Sequence, residues 1–373
     1  MRAQARYVPT MTPHASAPAH QQPVALVLGG GNALGSYLAG AYEHLHHQDI
    51  EPRWIVGASI GAIMAAIIVG NAREDRLARL GEFWAEAMIH TPGALGRGST
   101  LRQAYNEAHT ALTMMLGRPG LFHHRYPGLW SMLPWMPDDI ALYDHTPLRR
   151  TLERLIDFDR LNRRDIRLTV GCIDLESGEE VFFDTARDRI GPEHLLASSA
   201  ITPVFPPVEI GGRLLCDPGY ANNMPVDALL ADPPDEDLLC IAVELFSLVA
   251  PRPASLDSIV ERTKDLIFAS PSRRTMKALQ REYALHEKLQ PDGPSVTLLH
   301  MAYHAGSDER AGKAFDYSPS SVRDRWAAGQ RDMESALALL SSAPAEKRRL
   351  RFLALDPKKS AISGEIGASG SAA

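Results

Sequence analysis

The sequence predicts an α/β protein with a central, mostly parallel sheet and a mainly helical C-terminal extension. Three observations carry that prediction. Between Val24 and Asn71 the chain reads strand, helix, strand, helix, an order that short connections turn into parallel strands with right-handed crossovers. The stretch "VALVLGG" is a continuous apolar run, as expected of a strand buried on both faces. After about Ala250 the pattern changes to amphipathic helical periodicity with one further strand candidate. A chain of 373 residues, 45% hydrophobic and 23% charged, has ample material for a core, in one large domain with an extension or in two domains.

Taken in order, "MRAQARYVPTMTPHASAPAHQQP" (1–23) has basic residues but no apolar centre, so it is expected to be a disordered arm rather than a secretory signal. "SYLAGAYEHLHHQDI" puts Tyr37, Leu38, Ala41, Tyr42 and Leu45 on one helical face. "RWIV" is the second strand, and "SIGAIMAAIIVGN" is a helix apolar nearly all round, hence buried on every side. The run from Trp54 to Val69 is too short for a bilayer span, which needs about 20 residues. From Thr91 to Asp139 the pattern is irregular. Its "PGLFHHRYPGLWSMLPWMPDD" reads either as a long loop over the core or as a mobile, membrane-touching cover above an apolar pocket, and the sequence leaves both open.

"TPLRRTLERLIDFDRLN" is a helix with Thr146 as N-cap and Pro147 in its first turn. "DIRLTVGCIDL" and "EEVFFDT" are strands around an "ESGE" turn. The Gly-Gly of "PVEIGGRLLCD" signals a hairpin that delivers Asp217 at the end of an apolar strand. "DLLCIAVELF" is one more buried strand. Three helices are expected beyond it, "SIVERTKDLIFA", "SRRTMKALQREYALHEKL" and "SSVRDRWAAGQRDMESALALL", with the strand "VTLLHMAYH" between the last two. The domain division is then 24–245, a helical extension over 246–345, and a low-complexity tail over 346–373.

A formal net charge of −6 argues against nucleic acid as a partner. The three cysteines, Cys172, Cys216 and Cys240, form no CxxC pair and have no metal-type spacing to histidine. They read as buried apolar residues in a reducing compartment, and the expected location is the cytoplasm.

"GASIG", from Gly57 to Gly61, has the form G-x-S-x-G between a strand and a buried helix. That is the pattern of a nucleophile elbow, with Ser59 exposed at a sharp turn. A serine hydroxyl needs a base. One design is a Ser-His-Asp triad, for which His194, His300 and His304 are the candidate histidines; the other uses an aspartate directly. Asp217, followed by the turn-rich "PGYANNMP", suits the second design, although an aspartate before Pro-Gly is by itself an ordinary turn former. The loop "GGGNALG" fails the dinucleotide spacing G-x-G-x-x-G from either start, at Asn32 or at Leu34, and no P-loop lysine follows. Consecutive small residues whose amides approach a substrate oxygen remain the better reading.

In their order along the chain, the glycine loop, the GASIG elbow and "ASSAITPVFPPVEIGGRLLCDPGYANNMPVD" resemble the patatin-like phospholipase family. The stretch "FDYSPSSVRDRWAAGQRDM" resembles the helical extension of a bacterial branch of it. The resemblance implies a three-layer α/β/α catalytic domain and a serine lipid acyl hydrolase acting through an acyl-enzyme. It implies Ser59 as nucleophile, Asp217 as base, and the amides of Gly30, Gly31 and Asn32 as the oxyanion hole. Gly35, Gly57, Gly61 and Gly219 are its motif glycines. No metal or organic cofactor is implied, and the partner is a lipid or other acyl ester, with peripheral membrane contact. Asn32 stands where the family usually has a third glycine, Leu34 where many members are basic, and Pro218 where a glycine follows the aspartate. A binding or scaffold protein that kept the fold is the rival reading from another class.

Overall fold

The computed structural model describes residues 22–88, 99–231, 234–306, 308–309, 312–344 and 348–355. The expected N-terminal arm, but for its last two positions, lies outside these residues. A nine-stranded sheet is built from β1 (Val24–Leu28), β2 (Pro52–Ala58), β3 (Arg167–Asp174), β4 (Glu180–Asp184), β5 (Val208–Ile210), β6 (Arg213–Cys216), β7 (Leu238–Glu244), β8 (Val296–Ala302) and β9 (Leu350–Ala354). The strand order is β9-β8-β7-β1-β2-β3-β6-β5, with β4 paired to β3. From β9 to β3 every pairing is parallel. The hairpin partners β4, β5 and β6 are antiparallel.

Period-two alternation sends side chains to both faces of the sheet. Val24, Leu26 and Leu28 join the larger core, packed with α1 (Ser36–His47), α2 (Ile60–Val69) and α3 (Arg76–Ala87). Ala25 and Val27 face the other core. The helices that follow are α4 (Thr100–Leu116), α5 (Thr146–Leu155), α6 (Pro192–Ser198), α7 (Leu256–Leu289) and α8 (Pro319–Ser342). Met276, Leu279 and Tyr283 of α7 complete the second core, which gives the three layers. All three cysteines are buried and unpaired by disulfides.

Four sequence expectations differ from what folds. The irregular 91–139 stretch contains α4, capped by Ser99, whose side chain accepts the Arg102 amide at 3.1 Å. Its inward residues are Arg102, Asn106, His109 and Thr113, so the buried face is polar and apolar periodicity could not reveal it. The first two C-terminal helices are one, running through Pro271. The buried positions Asp265, Ala269, Ser272, Met276, Leu279 and Tyr283 recur at helical spacing across the proline, and this packing outweighs the lost backbone bond. The helix expected from Thr146 ends at Leu155, and a separate turn, Phe158–Leu161, starts at Asp157, which accepts the Arg160 amide at 2.8 Å. The tail expected from 346 contributes β9, while 356–373 lies outside the described residues.

The C-terminal segment prolongs the same sheet and lays α8 along α1. A Cβ at Gly40 would stand 1.8 Å from the Trp326 carbonyl oxygen, and one at Gly329 would stand 2.0 Å from that of Tyr37. The two helix backbones touch where only hydrogen fits.

Candidate active site

Ser59 lies between the end of β2 and the start of α2, with φ 55° and ψ −128°. Such a conformation costs a non-glycine residue of the order of 1–3 kcal/mol and persists only where its surroundings enforce it. They do so here by close approach. A Cβ on Gly61 would lie 2.0 Å from the Leu28 carbonyl oxygen, and one on Gly57 would lie 2.6 Å from Ala62 Cα, so α2 starts hard against β1 and its own turn. Gly35 is constrained similarly, with Ile60 Cγ1 2.4 Å from where its Cβ would be. The Ser59 amide donates to Ser198 Oγ at 3.0 Å, and the Ser198 hydroxyl donates to the Gly171 carbonyl at 2.6 Å. Ser198, at the end of α6, thus ties the bend to β3.

Asp217 reaches the same place through the ladder. Ala58 pairs with Gly171, and Ile173 pairs with Cys216, so the antiparallel run of β6 brings residue 217 back toward the level at which β2 ends. Its amide donates to the Ala200 carbonyl at 3.1 Å, and its Oδ1 accepts the Gly219 amide at 2.8 Å. Ser59 and Asp217 line the same cavity. Burial pushes Asp217 up to about 7, against the lowering effect of the nearby Ser59 hydroxyl and of the Gly219 amide. Pro218 sits at φ −78°, which a proline adopts without strain, and the carboxylate is held by the next amide instead.

The glycine loop, Gly29 to Gly35, runs beside Ser59. Gly30 departs from the expectation, because its amide donates to the Asn223 carbonyl at 3.0 Å while Asn223 Nδ2 donates back to the Gly30 carbonyl at 3.1 Å. Among the described residues the amides of Gly31 and Asn32 carry no hydrogen bond and remain the loop's available donors. Asn32 takes φ 53°, a left-handed conformation that asparagine tolerates better than most residues. Leu34 is fully buried in the larger core.

Ser59, Asp217, Gly31 and Asn32 line a cavity of about 360 Å³ whose walls are otherwise mainly apolar, including Ile63, Phe83, Phe122, Phe205 and Phe268. His145 also lines it. Burial lowers His145 to about 4, so the ring is neutral at working pH, and its Nδ1 is buried without a partner among the described residues. Of the triad histidines, His194 Nδ1 accepts the Gly191 amide at 2.9 Å, His300 Nε2 lies 3.1 Å from Glu244 Oε2, and His304 Nε2 lies 2.9 Å from Ser247 Oγ. None of the three lines the cavity. Ser198, Asn223 and His145 are single polar residues in turns or helix ends, and nothing in their local sequence marks them. No described helix is long and apolar enough to cross a membrane.

A serine raised on a strand–turn–helix bend of a parallel sheet, above an apolar cavity, is the architecture of elbow-type acyl hydrolases. The patatin-like phospholipase model matches residues 26–230, and the chain belongs to that family of lipid acyl hydrolases. A second model, described as patatin phospholipase, matches residues 269–348. No curated protein matches. Among solved structures, VipD from Legionella pneumophila is similar at 16% identity and a TM-score of 0.41, over 86% of this chain and 67% of that one. The type III effector ExoU is similar at 14% identity and a TM-score of 0.37, over 86% of this chain and 54% of its own. Human GIVD cytosolic phospholipase A2 is similar at 12% identity and a TM-score of 0.29, over 59% of this chain and 42% of its own.

Proposed function

We propose that this chain hydrolyses the carboxylic ester of an acyl lipid, such as a phospholipid or lysophospholipid, through Ser59 and Asp217. One observation carries the reading: Ser59, on its sharp bend, and the buried carboxylate of Asp217 line one apolar cavity. Asp217 takes the hydroxyl proton as Ser59 Oγ attacks the acyl carbonyl, and the oxyanion forms against the amides of Gly31 and Asn32. The leaving alcohol departs with that proton. Water activated by Asp217 then cleaves the acyl-enzyme. A carboxylate held at about 7 is a far better base near neutral pH than one at its ordinary value of 3.8. The apolar walls accept the acyl chain. The exposed Trp130 and Trp135, in the segment after α4, meet the lipid surface.

The test uses purified Ser59→Ala and Asp217→Asn variants. Both are expected to melt cooperatively and to lose about 10⁴-fold or more of the turnover of a short acyl ester. A serine-reactive phosphonate is expected to label Ser59 in the parent chain. Turnover like that of the parent in either variant discards the dyad.

A further inference from the structure

We propose that Lys264, on α7 at the open side of the cavity, binds an anionic group carried by the alcohol half of the substrate, while the closed side takes the acyl chain. The inference rests on the hydrolase reading above and adds to it the direction in which the ester lies and a preference for a leaving alcohol that bears an anion such as phosphate.

The cavity walls divide by exposure. On one side Leu121, Phe122, Leu148 and Phe205 are each at most 7% exposed. The Phe205 ring lies 5.2 Å from that of Phe122 and stacks at 5.9 Å on the neutral His145. This side is apolar and shut from water, which suits a hydrocarbon chain. On the other side Tyr220 and Ile267 are 51% and 44% exposed, and Lys264 is exposed with them. A charged group on the substrate keeps its hydration only there.

The open side also adjoins the reacting groups. A Cβ at Gly219 would lie 2.9 Å from Asp217 Oδ1 and 3.3 Å from Phe268 Cε1, so the Phe268 ring stands beside the carboxylate. Tyr220 stacks on that ring at 5.4 Å. Lys264 precedes Phe268 by one turn of α7, and residues so spaced share a helix face. Among the described residues that line the cavity it is the one cation, His145 being neutral. The charges that act on it are Asp257, Lys313 and Glu261, not Asp217. Glu261 is itself held by Lys313, whose Nζ donates to it at 3.1 Å and to Asp265 at 2.8 Å, and neither Asp257 nor Glu261 lines the cavity. Burial draws the Lys264 ammonium below its ordinary value, so its charge is partly withdrawn from water and gains more from an anion than a fully solvated one. One turn from the wall beside the base, yet not acting on the base, it is placed for a group a few bonds away from the ester.

Three monomeric esters of equal acyl length decide the matter: a neutral acylglycerol, the same acylglycerol with a phosphate on its glycerol, and the glycerol half-ester of a dicarboxylic acid, charged at the far end of the acyl chain. Because none forms a surface, attraction to an anionic membrane cannot produce a preference. The ratios of kcat/KM are measured in the full chain for the parent, Lys264→Met, Lys264→Arg and Ser59→Ala, with thermal melts as a check on folding. The parent should prefer the phosphate ester to the neutral one by about tenfold and should disfavour the dicarboxylate. Lys264→Met should abolish the preference, and Lys264→Arg should keep most of it. Raising the salt concentration should erode it in the parent and leave the ratio of Lys264→Met where it is. A parent without preference for the phosphate ester, a parent that favours the dicarboxylate, or equal fractional losses on all three esters in Lys264→Met overturns this proposal and leaves the dyad standing. Turnover surviving in Ser59→Ala overturns the dyad and this proposal with it.

Discussion

Residues 24–69 and residues 296–355 lie in one sheet and close on one cavity, yet different physics places them. In the first stretch two strand–helix units follow each other directly, and backbone contacts at Gly57 and Gly61 leave Ser59 a single conformation. Position there is a local matter of sterics. In the second stretch β8 and β9 extend the sheet from its far edge, and the groups that reach the site do so through buried polar contacts. Tyr37 donates to Asp332 Oδ2 at 2.8 Å, and fully buried Arg325 donates to Glu309 Oε1 at 2.9 Å and to the Asp316 carbonyl at 2.9 Å. The bend at Ser59 can thus be specified by a few adjacent small residues, whereas its support is specified only by the finished fold.

The harshest way to break the comparison is to remove the second region. A chain ending after Leu245 leaves Leu238, Cys240 and Ala242 without Met276, Leu279 and Tyr283, and uncovers β7 as an open edge. It is expected to show no cooperative melt and to aggregate. A parent-like transition would make 24–245 an independent domain.

Next in size is a pair of substitutions with opposite signs. Arg325→Met leaves Glu309 and Asp316 as buried charges without their partner, and should cost about 3–5 kcal/mol in urea unfolding. Asp217→Asn should stabilise. With a folded value of about 7 against an ordinary 3.8, the native state holds the proton more tightly than the unfolded chain. Stability therefore falls as pH rises through that window, and the cost is complete above about pH 7. Asparagine removes it, worth about 2–4 kcal/mol at pH 8 and nothing below pH 4. The same group should make kcat/KM of the parent climb with an apparent value near 7. A destabilised Asp217→Asn at pH 8 would show that the carboxylate is a structural support like Arg325.

This asymmetry also explains what the sequence revealed. The sheet strands, the Gly-Gly hairpin and the glycine-bounded bend were legible because continuous apolar runs and tight turns have few other uses. Helix α4 was not, since its inward face is Arg102, Asn106, His109 and Thr113 while Leu101, Met114, Met115 and Leu116 point to solvent. Nor could Ser198 or Asn223 be assigned a role. Each works through two long-range hydrogen bonds, and a single polar residue carries no periodicity. Asp217 lies between the two cases. Its hairpin was readable, but its carboxylate differs from a turn former only through burial that other parts of the chain supply.

The smallest effect on stability should come from a surface that belongs to neither region. Trp130 and Trp135 are 61% and 76% exposed, beside Met132 at 81%, so replacing both tryptophans with serine removes little packing and should shift unfolding by less than about 0.5 kcal/mol. Exposed aromatics of this size gain most where one face meets apolar material and the other meets water. Turnover of a soluble ester should therefore stay within about twofold, since neither residue lines the cavity, while hydrolysis of the same acyl group in phospholipid vesicles should fall several-fold. An equal loss on both substrates would tie the tryptophans to the cavity itself. No loss on either would leave the segment as a cover for the core with no part in meeting lipid.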